Sequence, residues 1–350
     1  MDFHLPFQGK ITIKNKAFLA RQLATMIASG LPLNKAINIL ADQERNPKLK
    51  EILVGVLNNL EAGSSFSTAA ARYPALFDKV FVNVVVSGET VGRLSDVLAQ
   101  LAEQYEKDGE FSGQVKGAFA YPAFIISAML IVGGIMMVYI VPQLESIFKE
   151  ANAKLPLPTQ IIISISSFLQ HDWILLILGI VALFFVLRAY FASAAGKRLV
   201  DLAQISIPGN IGVEISMARM AQTLGMLVQS GTPIIEALNV TADVLDNIYY
   251  KELLEDAVSQ VKRGIPLSVP LSQSKYFPPI VSQMVSVGEQ TGELDKILMN
   301  LGQYYQGEVD DKLKNISTLV EPVIIVIIGI AVGFLVYAIL IPIYNIAQIQ

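Results

Sequence analysis

Cysteine is absent from this 350-residue chain, and histidine occurs only at His4 and His171. Without cysteine there is no disulfide and no thiolate-held metal. Two isolated histidines make no cluster, and no nucleophile motif or metal-ligand spacing accompanies them. No Gly-x-Gly-x-x-Gly or Gly-Lys-Ser/Thr loop offers a phosphate cradle. The paired acids Glu255-Asp256 and Asp310-Asp311 read as solvated helix faces. The expectation is a protein that is not an enzyme and takes no cofactor. A formal net charge of −4 leaves no footprint for nucleic acid. No strict apolar alternation runs far enough to force a sheet, so the chain is expected to be all α.

Charge itself is missing from three stretches, residues 117–144, 173–187 and 322–350. The chain is 53% hydrophobic with a mean hydropathy of +0.51, above the roughly 45–50% apolar usage of soluble proteins. A helix needs about 20 apolar residues to cross a bilayer. The first and third stretches have that length, and the second gains it if Arg188 snorkels and residues 189–191 extend it. Membrane spans are therefore expected near 119–141, 172–191 and 322–344. Residues 1–16 lack the apolar core of a signal peptide. Of the 26 lysines and arginines, 13 lie in residues 1–117 and 10 in residues 192–318, against two between the first spans and none in the tail. The basic side is the cytoplasmic one, which puts the N-terminus inside and the C-terminus outside.

What the chain does contain, it contains twice. Gly88, Glu89, Gly92, Leu94 and Leu98 recur 200 residues later as Gly288, Glu289, Gly292, Leu294 and Leu298, and Phe77, Tyr105 and Pro122 recur as Phe277, Tyr305 and Pro322. Upstream the offset is 201: Ser29, Gly30, Pro32 and Ala36 match Ser230, Gly231, Pro233 and Ala237. A single-residue gap between Ser67 and Phe77 joins the two registers. The period is too long for a solenoid, so this is a duplicated domain. If both copies stay on one side of the membrane, an unrepeated return span between them is obligatory, and residues 173–191 occupy that place.

The sequence divides into a short segment 1–15, a first cytoplasmic domain 16–117, a span 118–142, an extracytoplasmic segment 143–171, a span 172–191, a second cytoplasmic domain 192–318, a span 319–345 and a tail 346–350. Each cytoplasmic domain reads as six short helices. Phe18, Leu19, Leu23, Met26 and Ile27 form the first apolar stripe, and residues 217–229 begin the second copy. Gly30-x-Pro32 and Gly231-x-Pro233 are helix-stop, helix-start turns. The fifth helix of each domain is expected to turn at Gly88–Gly92 and at Gly288–Gly292. Glu89 and Glu289 inside those motifs have two readings. They cap a helix N-terminus or pair within the bundle, or they form an acidic contact for a cytoplasmic partner, with Arg93 and Glu293 giving the two faces different charge. Pro122 and Pro322 suit the start of a membrane helix, and Glu321 reads as a solvated carboxylate at the interface. Gly329 and Gly333 form a small-xxx-small face that permits close packing within one chain or between protomers.

In this order and spacing the motifs have a family look. They are Arg21-Gln22-Leu23-Ala24-Thr25 followed by residues 29–33, the two Gly-Glu-x-x-Gly-x-Leu turns, Tyr121-Pro122, Val141-Pro142, Leu155-Pro156-Leu157-Pro158 and Glu321-Pro322. The chain resembles the type II secretion F family over about residues 13–346. These are inner-membrane platform proteins of type IV pilus machines, type II secretion and DNA-uptake pseudopili. The resemblance implies a non-catalytic platform in the bacterial inner membrane. Such a platform takes conformational work from a cytoplasmic hexameric ATPase and helps pass pilin or pseudopilin into a growing filament. Its other expected partners are further inner-membrane assembly subunits and copies of itself, as a dimer or higher oligomer. Many members carry an extra N-terminal region, whereas here about a dozen residues precede the first helix. In the second repeat Gln222 stands where the first has Arg21. A solute transporter is the rival class, and it would need ionisable residues or broken helices at mid-membrane.

Overall fold

The computed structural model describes residues 11–150, 157–206 and 211–347. The side chains of residues 338–347 and of scattered positions, Glu321 among them, lie outside that description. So do Leu155 and Pro156 of the Leu155-Pro156-Leu157-Pro158 motif. Every regular element among the described residues is helical. They divide into two compact units, one formed by residues up to Gly113 with Asp201–Asp311, the other by Gln114–Val200 with the chain from Lys312 onward.

The first unit holds both copies of the repeat. Its opening helix, α1 (Ile13–Ala28), starts at Thr12, whose hydroxyl accepts from the Asn15 N–H while the Asn15 side chain accepts from the Thr12 N–H. That reciprocal pair satisfies two of the donors a helix start leaves open. Gly30, at φ 83°, stops the helix, and the Leu31 N–H donates back to the Met26 carbonyl at 3.0 Å. Then follow α2 (Leu33–Gln43), α3 (Pro47–Glu61), capped by Asn46, α4 (Phe66–Ala71), α5 (Lys79–Val91), capped by Asp78, and α6 (Leu94–Ile135). Six helices, as expected, make the first copy.

A π-helical segment, Met136–Ile140, joins α6 to α7 (Val141–Glu150). After it come α8 (Leu157–His171), α9 (Trp173–Ala192) and α10 (Ala194–Ser206). The second copy is α11 (Ile211–Gln229), α12 (Ile234–Val244), α13 (Ile248–Val261), α14 (Ser268–Gln273), α15 (Pro279–Thr291) and α16 (Leu294–Ala347). Among the described residues three helical runs are long and apolar enough to cross a membrane: Leu94–Gln143, Ile174–Ala192 and Leu294–Phe334. Leu175, Leu178, Phe184 and Phe185 of α9 are exposed, as a helix facing lipid requires.

The two bundles fill their cores differently. In the first, Phe66 meets Phe77 and Phe81 edge to face at 6.0 and 5.9 Å. In the second, Leu267 and Val281 replace Phe66 and Phe81, and fully buried Tyr250 replaces Leu49. The exchange moves aromatic volume from one wall of the core to the other, which a close-packed interior tolerates. Tyr250 packs on Phe277 at 5.5 Å and donates its hydroxyl to the Tyr276 carbonyl.

Two expectations are corrected. Pro122 and Pro322 do not start membrane helices: they lie inside α6 and α16, which continue from the soluble bundle into apolar sequence. A proline costs an internal helix one hydrogen bond, but in apolar surroundings no other backbone form satisfies the remaining groups, and the helix persists. Gly88 and Gly288 are not turn residues either. They are buried in the last turns of α5 and α15, and the reversal occurs at Gly92 and Gly292, at φ 73° and 74°.

Candidate functional site

Glu89 and Glu289 point inward to their own bundles. The Glu89 carboxylate accepts from the Phe66 N–H at 2.6 Å, the Ser67 N–H at 3.1 Å and the Ser67 hydroxyl. Glu289 accepts from the Leu267 N–H, the Ser268 N–H at 3.2 Å and the Ser268 hydroxyl at 2.6 Å. Each glutamate therefore closes the N-terminus of the short fourth helix, where the helix dipole and open N–H groups favour an anion. The same bonds align Phe66 with Leu267 and Ser67 with Ser268, which confirms the 201 offset there and places the one-residue gap between α4 and α5.

Gly88 is required by packing: a Cβ there would lie 2.4 Å from the Val97 Cγ2 of α6. The Arg93 N–H closes the α5 end on the Gly88 carbonyl at 2.8 Å, and the Glu293 N–H does so on Gly288 at 3.1 Å. Arg93 and Glu293 themselves are exposed. Arg93 is paired with Asp96 and Glu293 with Lys296, each within its own turn. The two motifs thus share an internal cap and present opposite charge outside. Pro32 and Pro233 sit just ahead of α2 and α12, their carbonyls accepting the first helical bonds from Ala36 and Ala237. Gly231 shares the left-handed conformation of Gly30, at φ 91°.

The copies meet inside the first unit. Helix α5 of the first packs on α11 and α12 of the second. Lys79 pairs with Asp243, and the Ser87 hydroxyl donates to the Ser230 carbonyl. From α6, Gln100 donates to Gln229 at 3.2 Å and Gln104 to Gln222 at 3.1 Å. A cleft of about 360 Å³ opens beside this junction, lined by Asp78, Tyr105, Asp108, Arg219 and Asp243 among others. Burial, then the Asp78 carboxylate that accepts its proton at 2.8 Å, push the Tyr105 hydroxyl well above its ordinary value. Tyr105 therefore stays a neutral donor. Tyr305, its counterpart, is pushed up to about 12 by burial.

Arg21 binds Glu106 through two bonds, 2.9 and 2.6 Å. In the second copy the pair becomes Gln222 and Gln306. A Cβ on Gly302 would lie 2.7 Å from the Gln222 Cγ, so glycine admits the closer helix there. Freed of a charged partner, Gln222 serves the junction instead. Sequence reading missed the role of Asp201 on α10, which accepts from the Ile248 N–H at 2.9 Å and whose carbonyl accepts from Asn247. A lone aspartate outside the repeat carries no signal for this.

In the second unit, Ser166 of α8 donates to the Met137 carbonyl in the π segment at 2.5 Å. Gly329 and Gly333 are exposed, and apart from the helix's own backbone no atom of the described residues lies within 4 Å of where a Cβ would stand on either. Nothing among the described residues packs on the small-residue face. Among the described residues no group of three or more His, Asp or Glu could hold a metal.

Residues 19–142 and 220–342 each match the family described as type II secretion system (T2SS), protein F. The chain is 36% identical to the type IV pilus assembly protein PilC of Thermus thermophilus, covering 95% of this chain and 83% of the relative. It is 32% identical to the type IV pilus assembly protein PilC of Myxococcus xanthus, over 99% and 84%. It is 30% identical to the type II secretion system protein F of Vibrio cholerae, over 96% and 84%. Both matched segments pair a capped helical bundle with the apolar helix that continues it, and on that ground the chain belongs to the type II secretion system protein F family.

Proposed function

We propose that this chain is a non-catalytic inner-membrane platform protein of a type IV pilus assembly machine, coupling a cytoplasmic assembly ATPase to the insertion of pilin into the filament. One observation carries the reading: α6 and α16 each begin inside a soluble bundle and continue unbroken into sequence apolar enough to cross a membrane. A continuous helix transmits a push on the bundle to the bilayer, where pilin waits. Higher identity to type IV pilus assembly proteins than to secretion proteins supports the pilus over a secretion pseudopilus. The N-terminus is cytoplasmic and the C-terminus extracytoplasmic in this reading. Arg93 and Glu293, exposed at matched turns with opposite charge, offer the ATPase two different contacts. Such charges act mainly on association rate and orientation.

The test is a deletion strain complemented with tagged protein. Loss of surface pili, their return on complementation, and co-purification of the assembly ATPase support the proposal. Intact pili with failed protein export would move the chain to a secretion system. Solute flux through proteoliposomes would move it to the transporters.

A further inference from the structure

The junction between the two repeats is head to tail. The α5 face of the first copy meets the α11–α12 face of the second, so the two contributing faces are not equivalent. A contact of this kind between homologous domains uses one face of each and leaves one face of each unused. The unused faces are the α1–α2 face of the first copy and the α15–α16 face of the second.

Burial at matched positions shows the difference. Met226 and Val240 in the junction are 3% and 7% exposed, whereas their counterparts Thr25 and Ile39 are open, Ile39 at 36%. Phe18, on the α1 stripe that continues through Gln22 and Thr25, is 58% exposed. On the other side, Val80, Ser87 and Gln104 are half-buried in or beside the junction. Their counterparts are Ile280, Val287 and Tyr304, exposed at 43%, 46% and 52%. The chemistry has changed in step on both free faces. The polar groups that bond across the internal junction, Ser87 and Gln104, have become aliphatic and aromatic at 287 and 304. The counterparts of their partners Ser230 and Gln222 are Ser29 and Arg21, and Phe18 and Ile39 stand on that same α1–α2 face.

We propose that a second copy of this chain docks its α1–α2 face onto the α15–α16 face of the first, repeating between chains the contact that joins the repeats within one. Ile280, Val287 and Tyr304 then lie against the face that carries Phe18, Arg21, Ser29 and Ile39, with Val287 opposite Ser29 and Tyr304 opposite Arg21. Such a contact closes into a ring or continues as a row according to its rotation. It gives the self-association expected from the family resemblance a defined surface, but its geometry rests on this chain alone and not on the pilus role.

The absence of native cysteine makes the test direct. S29C and V287C stand at positions matched to Ser230 and Ser87, which touch in the internal junction. Two differently tagged full-length chains, one S29C and one V287C, are co-expressed and treated in membranes with a short bismaleimide. A chain carrying both S87C and S230C is the control for the internal junction. The expected result is a covalent dimer of S29C with V287C chains, little of either alone, and at least about a tenfold loss of dimer when Y304D is added. The 87–230 link within one chain should be unchanged by Y304D. Self-linking of S29C or V287C chains at the mixed yield would mean a two-fold interface and overturn the proposal. An oligomer by light scattering in detergent without the 29–287 link would overturn it while leaving self-association standing. A monomer with no link would remove both.

Discussion

Glu89 and Glu289 show how much one side chain can hold. Each carboxylate takes two backbone N–H groups and a hydroxyl at the start of a helix only six residues long. A helix that short has no stability of its own and depends on such contacts. Glu89→Gln keeps the shape, removes the charge and leaves at least one donor without its acceptor. The expected cost is about 1.5–3 kcal/mol, read as a lowered melting temperature of the purified protein in detergent, with insertion unchanged. No change in melting would mean that the cap is dispensable. The glutamates stood out in the sequence because turn geometry explains glycine but not an acid. Their acceptor role was one of two readings, and only the position of α4 decides where the carboxylates point.

Asp243 works at the junction. Its carboxyl is held below the usual aspartate range, foremost by the hydrogen bond from Lys251, then by that from Lys79 of the other repeat. A lowered carboxyl contributes stability that is complete above the ordinary aspartate range and lost as pH falls through the folded value. Lys79 is 70% exposed, so solvent screens the pair. A double-mutant cycle of Lys79→Ala and Asp243→Asn should give a coupling under about 1 kcal/mol at neutral pH. That coupling should vanish in acid below the aspartate range. A coupling that grows in acid would contradict the assignment.

Helices were the most legible level. Gly30 and Gly231 end helices where the sequence says they should, Gly92 and Gly292 do so at the far end of the expected turns, and the six helices expected in each copy are present. The errors have physical causes. Gly88 resembles a turn glycine, but it serves a helix-to-helix approach that only Val97 on the next helix reveals. Pro122 and Pro322 read as helix starts because soluble helices avoid internal proline, a rule that apolar surroundings relax. The π segment and the Asp201 clamp depend on partners distant in sequence and left no periodic trace. At this scale Gly329 and Gly333 make the sharpest test. Gly329→Leu or Gly333→Leu adds bulk without polarity, so membrane insertion should be retained. Isolation with the other assembly subunits should fall if this open face meets protein. Normal isolation of both variants would show that the face meets only lipid.

At the scale of the whole molecule, duplication explains the architecture. In the proposed topology two bundles of one design on one side of a membrane need a return span, and α9 is the apolar helix without a repeat partner that fits that place. The bonds across the junction between bundles were not legible, because the lysine, aspartate, glutamine and serine side chains that make them read as ordinary surface. Topology is testable in the cysteine-free chain. A cysteine at Asn247 should resist a membrane-impermeant thiol reagent in intact cells, and one at Gln350 should react where the outer face of the inner membrane is accessible. The reverse pattern would invert the molecule.

In the proposed platform, force on the bundles reaches the bilayer through unbroken helices. A short, flexible Gly/Ser segment inserted after Gly113 in α6, or after Asp311 in α16, separates bundle from apolar helix at the boundaries between the two units without altering either. The measurement is the count of surface pili per cell alongside ATPase co-purification. Retained ATPase with pili reduced to the level of the deletion strain is expected for at least one insertion. Normal piliation with both insertions present would contradict the claim.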